Sequence, residues 1–97
     1  MTGARTIEKA DQQQRNIHDL LPPYAVILHN DDVNSMDFVV AALLKSVPEL
    51  TEERAVEVML EAHLKGRSVV TVCPLEKAEF YRDRIKTFNL GCTIEKA

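Results

Sequence analysis

The sequence predicts an α+β fold of order β-α-α-β-α-β, in which a three-stranded antiparallel sheet is packed with three helices. Two kinds of pattern predict it. Short runs of aliphatic and β-branched residues, bounded by prolines or turn formers, are typical of strands. Longer segments with apolar residues every three or four positions are typical of helices with one buried face. At 97 residues the chain has room for about one such domain.

The first strand and the first helix are predicted on either side of a polar turn. Pro22-Pro23 forces an extended entry, and the aliphatic run that follows it predicts a strand ending near Leu28. Residues 30–35 supply turn formers and oxygens that cap a helix. The helix behind them is predicted to turn one apolar face inward, made of Met36, Val39, Val40, Leu43, Leu44 and Val47.

Two more helices and two more strands complete the predicted domain. Pro48 ends the first helix, and Leu50-Thr51-Glu52-Glu53 is typical of the start of a second, which stops at Gly66 to form a helical hairpin. Residues 68–73 and 91–95 are predicted strands. Between them Pro74 suits the start of a third helix, predicted to carry Leu75, Ala78, Ile85 and Phe88 inward.

The composition narrows the class of protein. With 45% hydrophobic residues, 28% charged residues and a net charge of −3, the chain lacks the basic surface that nucleic-acid binding requires. It has no apolar run long enough for a membrane span, and its start lacks the apolar core of a secretion signal, so we expect a cytosolic or stromal protein. Cys73 and Cys92 form no CxxC pair and are expected to be small core residues. We expect no cofactor or metal.

Residues 1–21 differ in character from the domain predicted over residues 22–97. They are polar, include Gln12-Gln13-Gln14 and contain only isolated apolar positions such as Ile7. Such a segment cannot build a packed face, and we expect a flexible amino-terminal extension.

The run His29-Asn30-Asp31-Asp32 places polar side chains where the first strand ends and an apolar helix face begins. A carboxylate there can pair with an ammonium group, an asparagine carbonyl can accept a hydrogen bond from it, and the apolar surface can hold the group that the cation carries. The amino-terminal residue of a protein fits this description.

The second helix is predicted to complete the site. His63 stands four residues after Met59 and next to Ala62, so these side chains can border one hollow with Met36 and Val39 of the first helix. Taken singly, each feature has a plainer explanation: a capped turn, a solvated histidine and methionines that fill a core.

Several segments together resemble the ClpS family, adaptors of the bacterial and plastid Clp protease. The resemblance covers residues 22–97 and is carried by the segments 22–32, 36–40, 62–66 and 90–97. It implies a non-enzymatic adaptor that binds substrates through a destabilising amino-terminal residue, typically Phe, Tyr, Trp or Leu. It also implies a ClpA- or ClpC-type AAA+ unfoldase as partner, and an extension that enters the unfoldase pore.

The resemblance also implies roles for single residues. Asn30, Asp31 and His63 would hold the α-amino group, and Asp32 and Asn34 would support the loop. The pocket for the first side chain would be lined by Leu28, Met36, Val39, Met59, Ala62 and Leu90, with Met36 rejecting β-branched residues. The unfoldase would dock on Glu76, Tyr81 and Arg82.

This chain departs from the family pattern in three places. Val33 and Asn34 replace the aromatic residue and the threonine that are more usual after Asn30-Asp31-Asp32, which would alter hydrogen bonds to the second substrate residue. Ala62 stands where the family more often has a larger aliphatic residue, which would widen the pocket and change the ranking of substrates. Tyr81 stands where a lysine is common on the docking surface.

Two other functions remain as alternatives. A module that docks on the unfoldase and inhibits or redirects it, without reading chain ends, needs the docking surface only. A metal-dependent hydrolase would have to use His29, Asp31, Asp32 and His63, but no HExxH helix or second carboxylate cluster supports it.

Overall fold

The structure, a computed structural model, describes residues 21–97. Its elements confirm the predicted order and are β1 (Tyr24–His29), α1 (Met36–Ser46), α2 (Glu52–Lys65), β2 (Arg67–Cys73), α3 (Leu75–Lys86) and β3 (Cys92–Lys96). The predicted extension lies outside the described residues, apart from Leu21.

The strands form one antiparallel sheet in the order β2-β1-β3. Because β1 is central and is covered on both faces, residues 25–28 are all buried. Val26 and Leu28 join the core under the helices. On the other face the ion pair of Arg67 with Glu95, at 2.6 Å, links the two flanking strands diagonally across β1, and Ile27 beneath it is buried.

Side-chain oxygens cap the first two helices as the sequence predicts. Ser35 Oγ accepts a hydrogen bond from the backbone N–H of Phe38 at 3.2 Å, and Thr51 Oγ1 accepts one from that of Arg54 at 3.1 Å. Gly66 ends α2 in the left-handed conformation, with φ +93°, which glycine adopts without a steric penalty.

Of the residues predicted to point inward from the third helix, Leu75 is exposed, and Phe88 packs against the core from beyond the end of the helix. Leu75, the first residue of α3, is 42% exposed. Phe88 follows α3 and is half-buried, with its ring edge-to-face with that of Phe38 at 6.2 Å. The inward residue in the middle of α3 is Tyr81, which is buried.

The two cysteines are free, and they differ in burial. Cys92 lies in the core, as predicted, and burial raises the pKa of its thiol to about 12. Cys73 is only partly buried, at the end of the edge strand β2.

Candidate functional site

A recess lies where the loop after β1, the start of α1 and the last turns of α2 meet. Its cavity volume is about 20 Å³, little more than the space that one water molecule needs. It is lined by Leu28, His29, Asn30, Asp31, Asn34, Met36, Val39, Met59, Ala62 and His63.

Backbone hydrogen bonds hold the three segments of the recess together. The N–H of His29 donates to the carbonyl oxygen of Gly91, and the N–H of Asn30 donates to that of Gly66, both at 2.9 Å. Gly66 ends the helix that carries His63. The loop with Asn30 and Asp31 is therefore fixed to α2 on one side and to the segment before β3 on the other.

The carboxylate of Asp31 is the most strongly hydrogen-bonded group at the polar side of the recess. Its Oδ1 accepts from the backbone N–H of Val33 at 2.7 Å and of Asn34 at 3.1 Å, and its Oδ2 accepts from Nδ2 of Asn34 at 2.5 Å. These donors, the Asn34 side chain first, lower the pKa of Asp31 from its ordinary value. Asp31 is thus an anion with a fixed orientation.

A second amide-carboxylate pair lies in the same loop. Nδ2 of Asn30 donates to Oδ1 of Asp32 at 3.2 Å. This contact fixes the orientation of the Asn30 amide and leaves its side-chain oxygen as an acceptor. Asp32 does not line the recess, and its carboxylate contacts the Asn30 amide instead.

The apolar side of the recess is mostly rigid. Leu28, Val39 and Ala62 are buried in the core, and Met59 is 8% exposed. Met36, the first residue of α1, differs from them because 46% of it is exposed at the mouth. It is the wall residue with the most freedom to move.

The structure brings together most of the predicted site. The three residues predicted to hold the amine line the recess, as do Asn34 and five of the six predicted pocket residues. Leu90 is the exception: it is 4% exposed and packs in the core, and it is not among the residues that line the recess. His29, which belongs to the polar run predicted at the end of the first strand but was given no role in holding the amine, also lines the recess.

Two of the predicted docking residues, Glu76 and Arg82, reach the surface, and the third, Tyr81, does not. Glu76 is exposed in the first turn of α3, and Arg82 forms an ion pair with Asp83 at 3.0 Å. Tyr81 is only 3% exposed, and its hydroxyl donates a hydrogen bond to Glu49. It lies on the inward face of α3 with Ala78 and Ile85, so the prediction that it forms part of a docking surface is wrong.

Two classes of site can be checked over the described part of the chain. No helix within residues 21–97 is both long and apolar enough to cross a membrane. The same residues contain no group of three or more His, Cys, Asp or Glu side chains arranged to hold a metal ion.

Comparison with known proteins assigns the family. The family model described as ATP-dependent Clp protease adaptor protein ClpS matches residues 19–93. The chain belongs to the ClpS family. An adapter protein ClpS of Synechococcus elongatus is 42% identical over 93 residues, which cover 96% of each chain. The chloroplastic adapter CLPS1 of Arabidopsis thaliana is 40% identical over 81 residues, which cover 84% of this chain and 51% of the relative.

A solved ClpS structure supports the fold. The structure of Agrobacterium tumefaciens ClpS2 bound to L-phenylalaninamide matches with a TM-score of 0.72 and 30% identity, covering 78% of this chain and 98% of that one. As a ClpS family member, this chain is an adaptor of the Clp protease and not an enzyme, as its sequence predicted.

Proposed function

We propose that this ClpS family member binds proteins through a destabilising amino-terminal residue of the Phe, Tyr, Trp or Leu class and delivers them to a Clp AAA+ unfoldase of the ClpA or ClpC type. One observation carries the proposal: a fixed, ionised carboxylate, Asp31, stands at the rim of an apolar recess. A free chain end combines the two matching parts, a cation and a side chain, on one carbon atom.

The α-amino group would be held by three acceptors. At neutral pH it is largely a cation with three N–H donors, whereas an internal peptide nitrogen has one donor and no charge. Asp31 would supply the charge, and the side-chain oxygen of Asn30 and a ring nitrogen of His63 the remaining acceptors. An internal peptide would leave Asp31 unmatched.

The first side chain would enter the apolar part of the recess only if the mouth opens. A cavity that binds benzene has a volume of about 150 Å³, far more than the 20 Å³ present here. Leu28, Val39 and Ala62 are packed in the core, so displacing them would cost packing energy. Displacement of the exposed Met36 side chain would make the space, so Met36 would sense the shape of the entering residue.

The unfoldase would dock on the exposed side of α3. Leu75 and Phe80 there are 42% and 54% exposed, and Glu76 lies between them in sequence. An exposed apolar patch with charged neighbours is typical of a protein interaction surface. We retain Glu76 and Arg82 in this proposal and exclude Tyr81 because of its burial. The cyanobacterial and chloroplastic relatives favour the cytoplasm or the plastid stroma as the location.

A binding titration with four peptides tests the proposal against a module that docks without reading chain ends. Labelled peptides that start with Phe, Leu, Val and acetyl-Phe are titrated with the full chain, and fluorescence anisotropy reports binding. We expect Phe and Leu to bind, Val to bind weakly and acetyl-Phe not to bind, because acetylation removes the charge and two donors. Equal binding of Phe and acetyl-Phe peptides contradicts the proposal.

Two isosteric variants sharpen the titration. Asp31→Asn removes the charge at the rim and should abolish binding of the Phe peptide. Asp37→Asn makes the same chemical change in the first turn of α1, outside the recess, and should leave binding unchanged.

A further inference from the structure

We propose that Asn34 is a positioning residue whose side-chain amide sets the orientation and the charge of Asp31 for the incoming amine. The inference rests on the proposed function, because it takes Asp31 as the partner of the ligand's amino group. It adds a residue on which the strength and pH range of recognition depend.

Asp31 accepts hydrogen bonds from two backbone N–H groups and from one side chain. Both bonds to Oδ1 come from backbone N–H groups, of Val33 and Asn34, and would survive most substitutions at those positions. The bond to Oδ2 comes from Nδ2 of Asn34 and depends on that side chain. Without it the second carboxylate oxygen has no protein donor among residues 21–97, and the carboxylate is less constrained.

Asn34 is also placed to act on the ligand side of Asp31. It is half-buried and lines the recess beside Asp31, in contrast to Val33, whose side chain is 92% exposed. The amide therefore holds Oδ2 of Asp31 from within the lining of the recess.

No cation neutralises Asp31 within the described part of the chain. The titratable groups around it are His29 and His63, which line the same recess, Asp32 next in sequence and Asp37 in the first turn of α1. None of the ion pairs among residues 21–97 includes Asp31 or any of these four groups. The charge of Asp31 is therefore supported by hydrogen-bond donors, of which the Asn34 side chain lowers its pKa most.

The experiment measures the titration of Asp31 by one method and ligand binding by another. Carbon-13 NMR of the side-chain carboxyl groups follows the titration of Asp31 in the free, full-length protein. Isothermal titration calorimetry with a Phe-starting peptide and with L-phenylalaninamide measures affinity at pH 7. The variants are Asn34→Ala, which removes the amide, and Asn34→Ser, which keeps a shorter donor. Val33→Ala is the matched control, because it trims an exposed side chain in the same loop and keeps every bond to Asp31.

We expect Asn34→Ala to raise the titration midpoint of Asp31 and to weaken both ligands about three- to tenfold, the effect of one hydrogen bond to a charged site. Asn34→Ser should give an Asp31 midpoint and ligand affinities between those of Asn34→Ala and the unaltered protein. Val33→Ala should give the same values as the unaltered protein. The ratio of affinities for Phe and Leu peptides should stay constant, because the apolar wall is untouched.

The possible failures are distinguishable. An unmoved Asp31 midpoint in Asn34→Ala, with the fold intact by circular dichroism, overturns the inference. A raised midpoint with unchanged affinity keeps the effect of Asn34 on Asp31 but overturns the assignment of Asp31 as the partner of the amine. If the unaltered protein binds neither ligand, the proposed function fails, while the NMR titration still decides the role of Asn34.

Discussion

The backbone N–H of Asn30 donates a hydrogen bond of 2.9 Å to the carbonyl oxygen of Gly66. This bond joins the loop that carries Asp31 to the end of the helix that carries His63. The two polar groups of the recess come from segments about thirty residues apart, and this contact sets their relative position. The conformation of Gly66 is therefore important for both the fold and the site.

Replacement of Gly66 by alanine should destabilise the protein by about 1–2 kcal/mol. The reason is conformational, because φ is +93° and a Cβ added at this position meets no atom within 4 Å. Urea unfolding measures the loss. Asn89→Gly is the control, since Asn89 has a positive φ of 62° and glycine relieves it. A Gly66→Ala variant as stable as the unaltered protein would contradict this explanation.

The fold was predictable because its signals are local. Ser35, Thr51 and Gly66 mark helix ends through their own side chains or backbone freedom, and the continuous apolar run of β1 is typical of a covered central strand. The errors fall on α3, where Leu75 and Tyr81 both have spacings compatible with an inward face. Spacing alone does not show that Leu75, at the start of the helix, is exposed while Tyr81, in its middle, is buried.

The site was predictable in its residue types more than in its contacts. The sequence places Asn30, Asp31 and His63 near one recess, and the structure brings them there. Spacing alone does not show that Asn34 binds Asp31, because that contact depends on the exact turn that the loop adopts. Nor does it show that Leu90 points into the core, since this depends on how the segment after α3 returns to the sheet.

Two buried serines should respond to alanine in opposite ways. Ser46 is fully buried at the end of α1, and its Oγ has no hydrogen-bond partner among residues 21–97. Ser46→Ala removes an unpaired polar group and improves helix propensity, so we expect stabilisation by about 0.5–1.5 kcal/mol. Ser68 is also buried, but its Oγ donates to Glu61 at 2.9 Å. Ser68→Ala should destabilise the protein by a similar amount. Urea unfolding measures both variants, and changes in stability of the same sign would refute this account.

Tyr81 should contribute to the stability of the protein and to the way that stability changes with pH. Its hydroxyl donates to Glu49, beside which Lys77 lies at 3.4 Å, and this bond is the main cause that lowers the pKa of Glu49. Stability from Glu49 is present above its unfolded pKa of about 4.5 and is lost as pH falls through the lower folded value. Tyr81→Phe should cost about 1 kcal/mol at pH 7 and less at acid pH.

Urea unfolding at pH 7 and below pH 4 measures this difference. Tyr24→Phe is the matched control, because Tyr24 is partly buried and its hydroxyl has no hydrogen-bond partner among residues 21–97, so loss of that hydroxyl should change stability little. A Tyr81→Phe variant with unchanged stability at pH 7 would show that the hydroxyl contributes no net stabilisation.

Met36 should control which first residues enter the recess. Met36→Ala removes the side chain at the mouth, so peptides that start with the β-branched residues Val or Ile should gain affinity relative to Phe by at least about threefold. Met36→Leu keeps the volume and should preserve the original ranking. Anisotropy titrations with peptides starting in Phe, Val and Ile measure these ratios. If the Phe-to-Val ratio is equal in all three proteins, Met36 does not select by shape.

Binding of a Phe-starting peptide should have a bell-shaped dependence on pH. On the alkaline side affinity should fall from about pH 8, because the ligand's amine, with a pKa of about 7.7–8.0, loses its charge and a donor. On the acid side Asp31 must be protonated before its attraction is lost, and its pKa lies below the ordinary 3.8 because of the bonds from Asn34 and Val33. Affinity that stays flat from pH 5 to pH 10 in calorimetric titrations would exclude recognition of a charged chain end.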